Sequence, residues 1–512
     1  MNVPSPVNLC VVQPAGDVHA LALLDQVQYF RHQFERLGVP VSLLKNRLRD
    51  DAVNLVFGAN AGFDPDLMRR FDCLIVNLEP MGEGGDRISE AYRQLLARSA
   101  VVDVDRRNVP AYSKHPEDVP IVSFLHAPYL AGQSPPLAQR PIDLLVVGSM
   151  SDRHREWIAR IEANGRNVSY FDQPLHGPER QTYLRQTKAV IDCASIRQGR
   201  FDQSVAFVAP SAGTPVIAKR IDGLQVPAAY EELFYWIGDD ELDAFFGERF
   251  ATPEWCAQAQ ARLDAFARTD AIDGFADLLA FAHGYRKARR AQAGPIATRT
   301  ARRVRLAGGA NYLPGWLNLD PRPQAMPDAV IDLGAPEALP DRIESPFSGP
   351  VRLIPGEVET ICAVDGALER TPDLSVLMSR CLDLLKPGGE LVIEVSCGNG
   401  PWGWRLPDAR REVTEASWLT FTEGFWQLGW LDHRFELAHF SYVDGQRRPC
   451  EREQAIGMQA ALRKVPTTPQ EQMFARTMRA DFGLDPWGAP VMVADAAPVA
   501  DPVATTMAQA PR

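Results

Sequence analysis

Residues 305–320 read RLAGGANYLPGWLNLD, and this stretch decides the fold predicted for the second half of the chain. A short apolar run leads into Gly308 and Gly309, a Pro-Gly turn follows, and a second apolar run ends in Asp320. A glycine loop between two strands lets the backbone approach a ligand, and an acid after the second strand accepts hydrogen bonds from ribose hydroxyls. The pattern therefore predicts an α/β domain in which these three residues meet a nucleotide-type cofactor.

The residues that follow extend the same pattern. DAVIDLG (328–334) brings a second acid, Asp332, and a strand, a helix and the segment LKPGGELVIEV (385–395) come next. This order resembles the class I S-adenosylmethionine-dependent methyltransferases over roughly 303–400. The resemblance implies S-adenosylmethionine as cofactor, with Asp332 near the adenine and Asp365 lining the pocket.

Two places depart from the methyltransferase pattern. The family commonly opens its loop with Leu-Gly-Cys-Gly, whereas Ala307 stands here at the first glycine position. We expect its methyl group to be tolerated if its φ is negative and to crowd the cofactor otherwise. The second departure is at 366–370, where neither histidine of a His-x-Leu-Glu-His run is present. A methyltransferase fold retained only as a scaffold is the competing interpretation.

The aromatic-rich segment at 418–444 is the last feature of this half. In such folds a late segment covers the acceptor, so Trp426, Trp430 and Arg434 are candidates to hold a sugar, and His433 and His439 are candidates for acid/base chemistry. Core packing of a hairpin explains the same aromatic residues equally well.

The first half of the chain alternates strand-like and helix-like segments, which predicts parallel sheets. The pattern starts afresh at RPIDLLVVGS (140–149), after the Pro-rich connector LAGQSPPLAQRP. We therefore expect two tandem Rossmann-like units, at 1–135 and 136–285.

Ligand-binding candidates in the second unit follow its strands. Ser149 ends a strand-to-helix turn with Arg153 close behind, and a helix N-terminus attracts anions. Asp202 starts a later helix, where it would hold ribose hydroxyls, and the pair Lys219-Arg220 would neutralise a diphosphate leaving group. Capped helices and solvated arginines are the alternative.

His19 lies where the first strand turns into the first long helix, facing the presumed cleft. A histidine there can act as general base toward a sugar hydroxyl. A simple loop or capping residue is the more ordinary interpretation.

Taken in order, VHALALLDQVQYFRHQFERLG, AVNLVFGAN, DCLIVNLEP, DLLVVGSMSDRHREWI, KAVIDC and APSAGTPVIAKR resemble a group of bacterial GT-B glycosyltransferase-like proteins over roughly 15–220. The resemblance implies a nucleotide-sugar donor. The family usually has Glu where Asp202 stands and a Ser-Glu type pair where Lys219-Arg220 stand.

Composition limits the remaining possibilities. The net charge of −11 argues against wholesale nucleic-acid binding. The eight cysteines form no C-x-x-C pair, which predicts no zinc site and fits a reducing cytoplasm. The N-terminus does not read as a signal peptide, and no stretch reads as a membrane span.

The predicted organisation continues with a basic linker at 286–302, a methyltransferase-like domain at 303–485 and a disordered tail at 486–512. A solvated hinge is the ordinary interpretation of the linker, and a peripheral phosphate or membrane-surface contact is the alternative.

Two functional hypotheses follow. In the first, the chain is a bifunctional enzyme that transfers a sugar and methylates the product, acting on a glycan or glycoprotein acceptor in bacterial surface polysaccharide assembly. In the second, both folds are retained in a non-catalytic scaffold or binding protein.

Overall fold

The computed structural model describes residues 5–14, 19–82, 88–147, 152–171, 175–192, 194–197, 199–293, 297–309, 311–364, 366–396 and 408–479. The predicted tail at 486–512 lies outside them. The chain divides into two compact units. Unit 1 is Met1–Ala297 with Ser345–Gly349, and unit 2 is Thr298–Glu344 with Pro350–Arg512.

Unit 1 alternates short strands with helices. Its strands are β1 (Val7–Val11), β2 (Val41–Lys45), β3 (Val53–Phe57), β4 (Cys73–Asn77), β5 (Ala100–Asp103), β6 (Ile142–Val147), β7 (Val168–Ser169), β8 (Thr187–Asp192), β9 (Ile196–Arg197), β10 (Arg200–Phe201), β11 (Val216–Lys219) and β12 (Tyr235–Ile237). Its helices are α1 (His19–Ala22), α2 (Leu24–Arg36), α3 (Leu67–Arg70), α4 (Glu90–Ala97), α5 (Asp152–Ala163), α6 (Gly177–Gln186), α7 (Gln203–Ala206), α8 (Val208–Ser211), α9 (Ala228–Glu231), α10 (Leu242–Ala244), α11 (Pro253–Phe266) and α12 (Ile272–Ala293).

Two parallel five-stranded sheets organise unit 1. The first has the order β2-β1-β3-β4-β5, and the second has the order β12-β11-β8-β6-β7. Counted within its own half, each sheet has the doubly wound order 2-1-3-4-5, whose direction of winding reverses between its first and third strands. Ligands in such sheets bind outside the carboxyl ends of the strands at that reversal. In the second sheet the reversal lies between β6 and β8.

Burial explains why the strands of unit 1 read as continuous apolar runs. Every residue of β1, β3 and β4 is buried, as expected for parallel strands covered by helices on both faces. One hydrophobic core contains residues of both sheets, among them Leu9 of β1, Val190 of β8 and Phe275 of α12. The two Rossmann-like halves are therefore packed as one body.

The basic segment predicted to be a linker is partly helical. Helix α12 runs through Ala293, and its arginines face the buried carboxylate of Asp72, which is 2% exposed. Arg290 Nε lies 2.8 Å from Asp72 Oδ2, and Arg289 Nε lies 3.3 Å from Oδ1. Because these charges pair inside unit 1, Arg289 and Arg290 dock the helix end that the sequence indicates here, and these two arginines are paired with an acid rather than only solvated.

Unit 2 holds the remaining elements. Its strands are β13 (Arg299–Thr300), β14 (Arg303–Leu306), β15 (Leu317–Leu319), β16 (Arg342–Ser345), β17 (Gly349–Arg352), β18 (Val358–Ala363), β19 (Leu385–Ser396), β20 (His433–Val443), β21 (Pro449–Cys450) and β22 (Gly457–Pro466). Its helices are α13 (Ala367–Arg370), α14 (Leu374–Leu384), α15 (Glu415–Thr422) and α16 (Pro469–Arg479).

The main sheet of unit 2 has the order β15-β14-β18-β19-β22-β20-β21. Strands β15, β14, β18 and β19 are parallel, and β22 runs antiparallel between β19 and β20. The segment 328–334, which carries Asp332, forms a single bridge between Leu319 and Ala329. The main sheet of unit 2 is thus a mixed, Rossmann-like sheet with a parallel part of four strands, and the prediction of an α/β chain with three Rossmann-like units is confirmed.

The Lys-Pro-Gly-Gly segment interrupts the start of β19 as the sequence predicts. Register with β18 shifts between the pairs Val358–Leu385 and Thr360–Glu390, and Gly388 has φ +76°. A Cβ on Gly389 would lie 2.9 Å from the carbonyl oxygen of Lys386. Glycine is needed at both positions, because one requires a left-handed backbone and the other a close approach.

No helix in the described parts of the chain combines the length and the apolar character that a membrane crossing requires.

Candidate functional site

A cavity of about 620 Å³ lies in unit 1 at the carboxyl ends of β6 and β8, where the second sheet reverses direction. This volume is within the range of roughly 300–1,000 Å³ that small-molecule sites occupy. Its walls combine apolar, aromatic, acidic and basic side chains, including Val146, Val190, Asp192, Tyr170, Phe171 and Arg155. We call it the switch-point cavity.

Asp192, the last residue of β8, is the acid of this cavity. Its Oδ1 accepts hydrogen bonds from the backbone N–H groups of Ala194 (3.0 Å) and Ser195 (2.9 Å). Its Oδ2 is buried and has no hydrogen-bond partner among the described residues. Burial, with a smaller contribution from nearby Asp202, raises the pKa of the Asp192 carboxyl above its usual range. One oxygen of this carboxyl thus accepts no hydrogen bond from the described residues.

An ion pair joins the two halves of unit 1 at the cavity wall. Arg180 of α6 contacts both carboxylate oxygens of Asp25 of α2, at 2.7 and 2.6 Å. Both side chains are largely buried and both line the cavity. Because a buried pair of this kind holds its elements in register, Arg180 and Asp25 fix the width of the cavity.

Aromatic and basic groups complete the opening. Tyr170 and Phe171 are 53% and 39% exposed, large values for aromatic residues. The Phe171 ring lies 4.7 Å from the Tyr183 ring, which holds one of the two in place. Arg155 of α5 lines the same cavity. Exposed rings can stack on a nucleotide base, and a guanidinium can neutralise phosphate.

Three predicted residues of unit 1 fall partly or wholly outside the described structure. Ser149 lies outside the described residues. Arg153 belongs to α5 and His19 begins α1, but neither side chain is described. Ala22, at the other end of α1, lines the switch-point cavity. The backbone that carries His19 therefore approaches this cavity, and its role as a base stays a prediction.

Asp202 lines a second pocket, of about 310 Å³, at the carboxyl ends of β4 and β5. The antiparallel hairpin β9–β10 carries the chain from Asp192 to this pocket. Asp202 caps α7 through Ser204, whose N–H and hydroxyl donate to its Oδ1 at 2.9 and 2.6 Å. Burial raises the pKa of Asp202. The capping interpretation of Asp202 is therefore realised, and it is not among the residues that line the switch-point cavity.

Lys219 and Arg220 are also directed away from this cavity. The ammonium of Lys219 lies 2.5 Å from Asp239, and the guanidinium of Arg220 lies 3.1 Å from Glu241. Arg220 also donates to the carbonyl oxygen of Trp236. The predicted neutralising pair thus meets acids of the segment after β12, and Arg155 and Arg180 are the arginines that line the cavity instead.

In unit 2 the predicted loop residues do meet. The N–H of Ala307 donates to the carbonyl oxygen of Leu319 at 2.8 Å, which holds the glycine loop against the end of β15. The N–H of Gly309 donates to Asp320 Oδ2 at 3.0 Å. Asp320 is only 2% exposed. Gly308, Gly309 and Asp320 form one compact group at the carboxyl edge of the sheet, which we call the glycine loop site.

Arg322 pairs with Asp320, the acid of this site. Its backbone N–H and its Nε–H both donate to Asp320 Oδ1 at 2.9 Å, and its Nη2 donates to Oδ2 at 2.9 Å. Burial favours the neutral carboxyl, but the donors of Arg322 and Gly309 outweigh it and lower the pKa of Asp320. Sequence reasoning missed Arg322, although its spacing of two residues from the acid was visible.

Ala307 adopts φ +50°, so the condition under which its methyl group is tolerated is not met. The left-handed region favours glycine because a Cβ there meets the following carbonyl oxygen. The glycine loop still follows one strand and the acid still ends the next, which is the order that dinucleotide-type sheets use. The hydrogen-bonding capacity of the acid, however, is taken by Arg322.

The remaining cofactor candidates are less informative. Asp332 is half-buried and accepts a hydrogen bond from the N–H of Gly334 at 2.9 Å, so it closes a turn after the bridge at Ala329. Asp365 lies outside the described residues. Their placement near adenine and in the pocket stays a prediction.

His433 lies at the opposite edge of the sheet from the glycine loop site. It begins β20, pairs with Pro466 and lies near Lys464, whose ammonium donates to the carbonyl oxygen of Leu385 at the start of β19. The loop, by contrast, follows the end of β14. Burial and then Lys464 lower the pKa of His433. The structure therefore does not bring this predicted catalytic histidine to the cofactor loop.

Of the two tryptophans predicted to hold a sugar, Trp430 is a core residue and Trp426 is partly buried against the same core. Trp430 is 8% exposed, packs edge-on against Phe435 and donates from Nε1 to Ser379 Oγ at 2.9 Å. Trp426 packs against Phe474 of α16. Core packing, the alternative left open by the sequence, accounts for both tryptophans.

Glu369 is an acid that sequence reasoning did not assign. It belongs to α13, directly after β18, and is 3% exposed. Its Oε1 accepts the N–H of Ser396 at the end of β19 at 3.0 Å, and its Oε2 has no partner among the described residues. Burial raises its pKa. Glu369 lies at the same sheet edge as the glycine loop site.

No family model and no curated protein matches the chain. Among solved structures, it is similar to an S-adenosylmethionine-dependent methyltransferase from Mesorhizobium loti, with 14% identity, a TM-score of 0.22, and coverage of 32% of this chain and 90% of the other. A 16S rRNA (adenine(1408)-N(1))-methyltransferase from Catenulisporales acidiphilia has 14% identity, a TM-score of 0.20, and coverage of 33% and 88%.

A third similarity covers more of the chain. It is to an E. coli structure described as trehalose-6-phosphate bound with UDP-2-fluoro glucose, with 11% identity, a TM-score of 0.34, and coverage of 54% of this chain and 99% of the other. Because these scores are low, the fold assignment rests on the strand orders of this chain. Those orders describe two doubly wound, Rossmann-like halves in unit 1 and a further Rossmann-like sheet in unit 2.

Proposed function

We propose that the protein is a bifunctional glycan-modifying transferase. Unit 1 transfers a sugar from a nucleotide sugar held in the switch-point cavity, and unit 2 methylates with S-adenosylmethionine held at the glycine loop site. The observation that carries the first half is the cavity itself, which lies where doubly wound sheets bind nucleotides and which is lined by exposed rings, an arginine and a buried acid.

Each group of the cavity has a part in donor binding. Tyr170 and Phe171 stack on the base, and Arg155 balances the charge of the diphosphate as the bond to the sugar breaks. Asp192 accepts a hydroxyl hydrogen through Oδ2. The acceptor oxygen forms the new bond to the anomeric carbon, a base takes its proton, and the nucleoside diphosphate leaves. His19, carried by α1, is the proposed base.

Isothermal titration calorimetry with a panel of nucleotide sugars tests this assignment. We expect micromolar binding of at least one donor, weakened about 10- to 100-fold in Asp192→Asn because one hydrogen bond to a charged group is lost. Asparagine keeps an oxygen for the N–H groups of Ala194 and Ser195, so the fold is preserved.

Asp202→Asn is the matched control, since Asp202 is also a buried acid of unit 1 but lines the neighbouring pocket. We expect its affinity to equal that of the wild type. Loss of binding in Asp202→Asn with retention in Asp192→Asn would reverse the two assignments and restore the role that the sequence predicts for Asp202.

In unit 2 we assign cofactor binding to the backbone of Gly308 and Gly309 and to Asp320. The cofactor would supply an electrophilic methyl group, and Glu369, with its raised pKa and open Oε2, is the proposed base that accepts the proton of the methylated hydroxyl. Asp332 and Asp365 are proposed to complete the adenine side.

The second candidate function is a scaffold or binding protein. One observation favours it: the acid of the glycine loop site is held by Arg322. If neither nucleotide sugars nor S-adenosylmethionine bind in calorimetry, this alternative replaces the enzyme.

The acceptor and the cellular setting follow from the combination of the two units. We propose a glycan or glycoprotein acceptor, because unit 2 then acts on the product of unit 1, and no nucleic-acid substrate, because the chain has a net charge of −11. Bacterial surface polysaccharide assembly in the cytoplasm, with at most a peripheral membrane contact, is the proposed setting.

A further inference from the structure

The carboxylate of Asp320 has no hydrogen-bonding capacity left. A carboxylate offers about four acceptor positions, two on each oxygen. Oδ1 receives the backbone N–H and Nε–H of Arg322, and Oδ2 receives the N–H of Gly309 and Nη2–H of Arg322. All four positions are therefore filled by donors from this chain, and ribose hydroxyls find none open.

Two of the four donors belong to the backbone and two to the guanidinium of Arg322. The backbone donors are fixed by the loop and the turn, because the N–H of Gly309 and the N–H of Arg322 cannot leave without unfolding them. The guanidinium ends a side chain that is 36% exposed and can rotate into solvent. Its departure frees one position on each oxygen, which matches the two hydroxyls of a ribose.

The guanidinium also lies over the loop backbone. Nη2 is 3.4 Å from the carbonyl oxygen of Ala307, and a Cβ on Gly309 would lie 3.6 Å from it. The space that Gly309 leaves for a close approach is therefore taken by this side chain, whereas the space beside Gly308 is taken by the side chain of Arg305.

We propose that Arg322 is an internal competitor of the cofactor, which occupies the positions on Asp320 that the ribose hydroxyls require and must release them before a nucleoside binds. This inference rests on the proposed cofactor role of unit 2. It concerns any ligand with a ribose, because the competition is for the hydroxyl positions and not for the charge or the methyl group of S-adenosylmethionine.

Calorimetry on the full chain tests the proposal with Arg322→Met, which keeps the aliphatic stem and removes every side-chain donor, and with Arg322→Ala. We expect the affinity for adenosine, S-adenosylhomocysteine and S-adenosylmethionine to rise by about tenfold in both variants, since two hydrogen bonds are regained. With 2′,3′-dideoxyadenosine, which lacks the hydroxyls, we expect no gain.

Arg342→Ala is the matched control, because Arg342 also pairs with an acid two residues away, Glu344, but on β16. Its affinities should equal those of the wild type. A gain for S-adenosylmethionine alone would overturn the proposal, since removal of a positive charge beside a sulfonium would explain it. An unchanged or weaker affinity for adenosine would overturn it too, and wild-type binding of S-adenosylmethionine would then leave the proposed function standing.

Two further outcomes also test the proposed competition and the proposed methyl transfer. Binding by Arg322→Met with none by the wild type would support the competition and remove the proposed methyl transfer from the native chain. Absence of binding by every variant would overturn both, because the loop would not be a nucleoside site.

Discussion

Asp192 and Asp320 are acids at the carboxyl ends of parallel strands, one in each unit, and they differ in how many hydrogen bonds the chain donates to them. Asp192 accepts two backbone N–H groups on one oxygen and has an open oxygen, and burial raises its pKa. Asp320 accepts four donors, and they lower its pKa against the effect of burial. Position in a sheet therefore does not decide whether an acid is ready for a ligand. The number of donors that the chain itself supplies decides it.

The largest expected effect is on stability. Asp320→Ala leaves the N–H of Gly309, the N–H of Arg322 and a guanidinium without their shared acceptor, so we expect a loss of about 2–3 kcal/mol in the free energy of unfolding. Asp192→Ala leaves the N–H groups of Ala194 and Ser195 without their acceptor at one cavity wall. We expect it to lower the free energy of unfolding by about 1 kcal/mol. Urea unfolding followed by circular dichroism measures both. Equal losses would contradict the contrast between a saturated and an open acid.

The pH dependence of stability should differ in sign between the two acids. Because the folded pKa of Asp320 is lowered, its contribution is present above the unfolded value of about 3.9 and is lost as pH falls through the folded pKa. Because the folded pKa of Asp192 is raised, its ionisation opposes folding as pH rises above about 3.9.

Free energies of unfolding measured between pH 3 and pH 7 distinguish the lowered pKa of Asp320 from the raised pKa of Asp192. The advantage of the wild type over Asp320→Asn should grow with rising pH, and its advantage over Asp192→Asn should shrink. Slopes of the same sign for both variants would show that the two acids are held alike.

The contrast between the acids also marks the limit of what the sequence predicts. The glycine loop site could be predicted because a parallel sheet brings the ends of neighbouring strands to one edge, which places Gly309 beside Asp320. The pairing of Arg322 with Asp320 could not be predicted, because a spacing of two residues does not fix the direction of a side chain. In the same way Lys219 and Arg220 follow a strand as predicted, but their partners Asp239 and Glu241 come from a later segment.

In unit 1 a short hairpin explains why the predicted role of Asp202 differs from its position in the structure. Asp202 starts a helix as the sequence indicates, yet β9 and β10 carry it to the neighbouring pocket. Asp192 ends the run KAVID, which reads as a buried strand, and an acid that closes such a run was the available signal. Strand and helix order was therefore predictable, whereas the pocket that each acid serves depended on two-residue strands.

The smallest expected effect concerns Ala307, the other unusual residue of the glycine loop site. Its φ of +50° disfavours an L residue, and glycine relieves this at the expense of a more flexible unfolded chain. We expect Ala307→Gly to raise the free energy of unfolding by about 0.5–1 kcal/mol. Ala251→Gly is the matched control in unit 1, since Ala251 has φ +64° and should gain a similar amount.

Ala307→Gly also distinguishes the two possible obstacles to a nucleoside in the loop, the methyl group of Ala307 and the side chain of Arg322. If Arg322 is the competitor, Ala307→Gly should change the affinity for adenosine by less than about twofold, because the acceptor positions on Asp320 stay filled. A tenfold gain in Ala307→Gly without one in Arg322→Met would identify the alanine methyl as the obstacle. The difference between Asp192 and Asp320 would then be one of backbone shape at the loop and not of the donors around the acid.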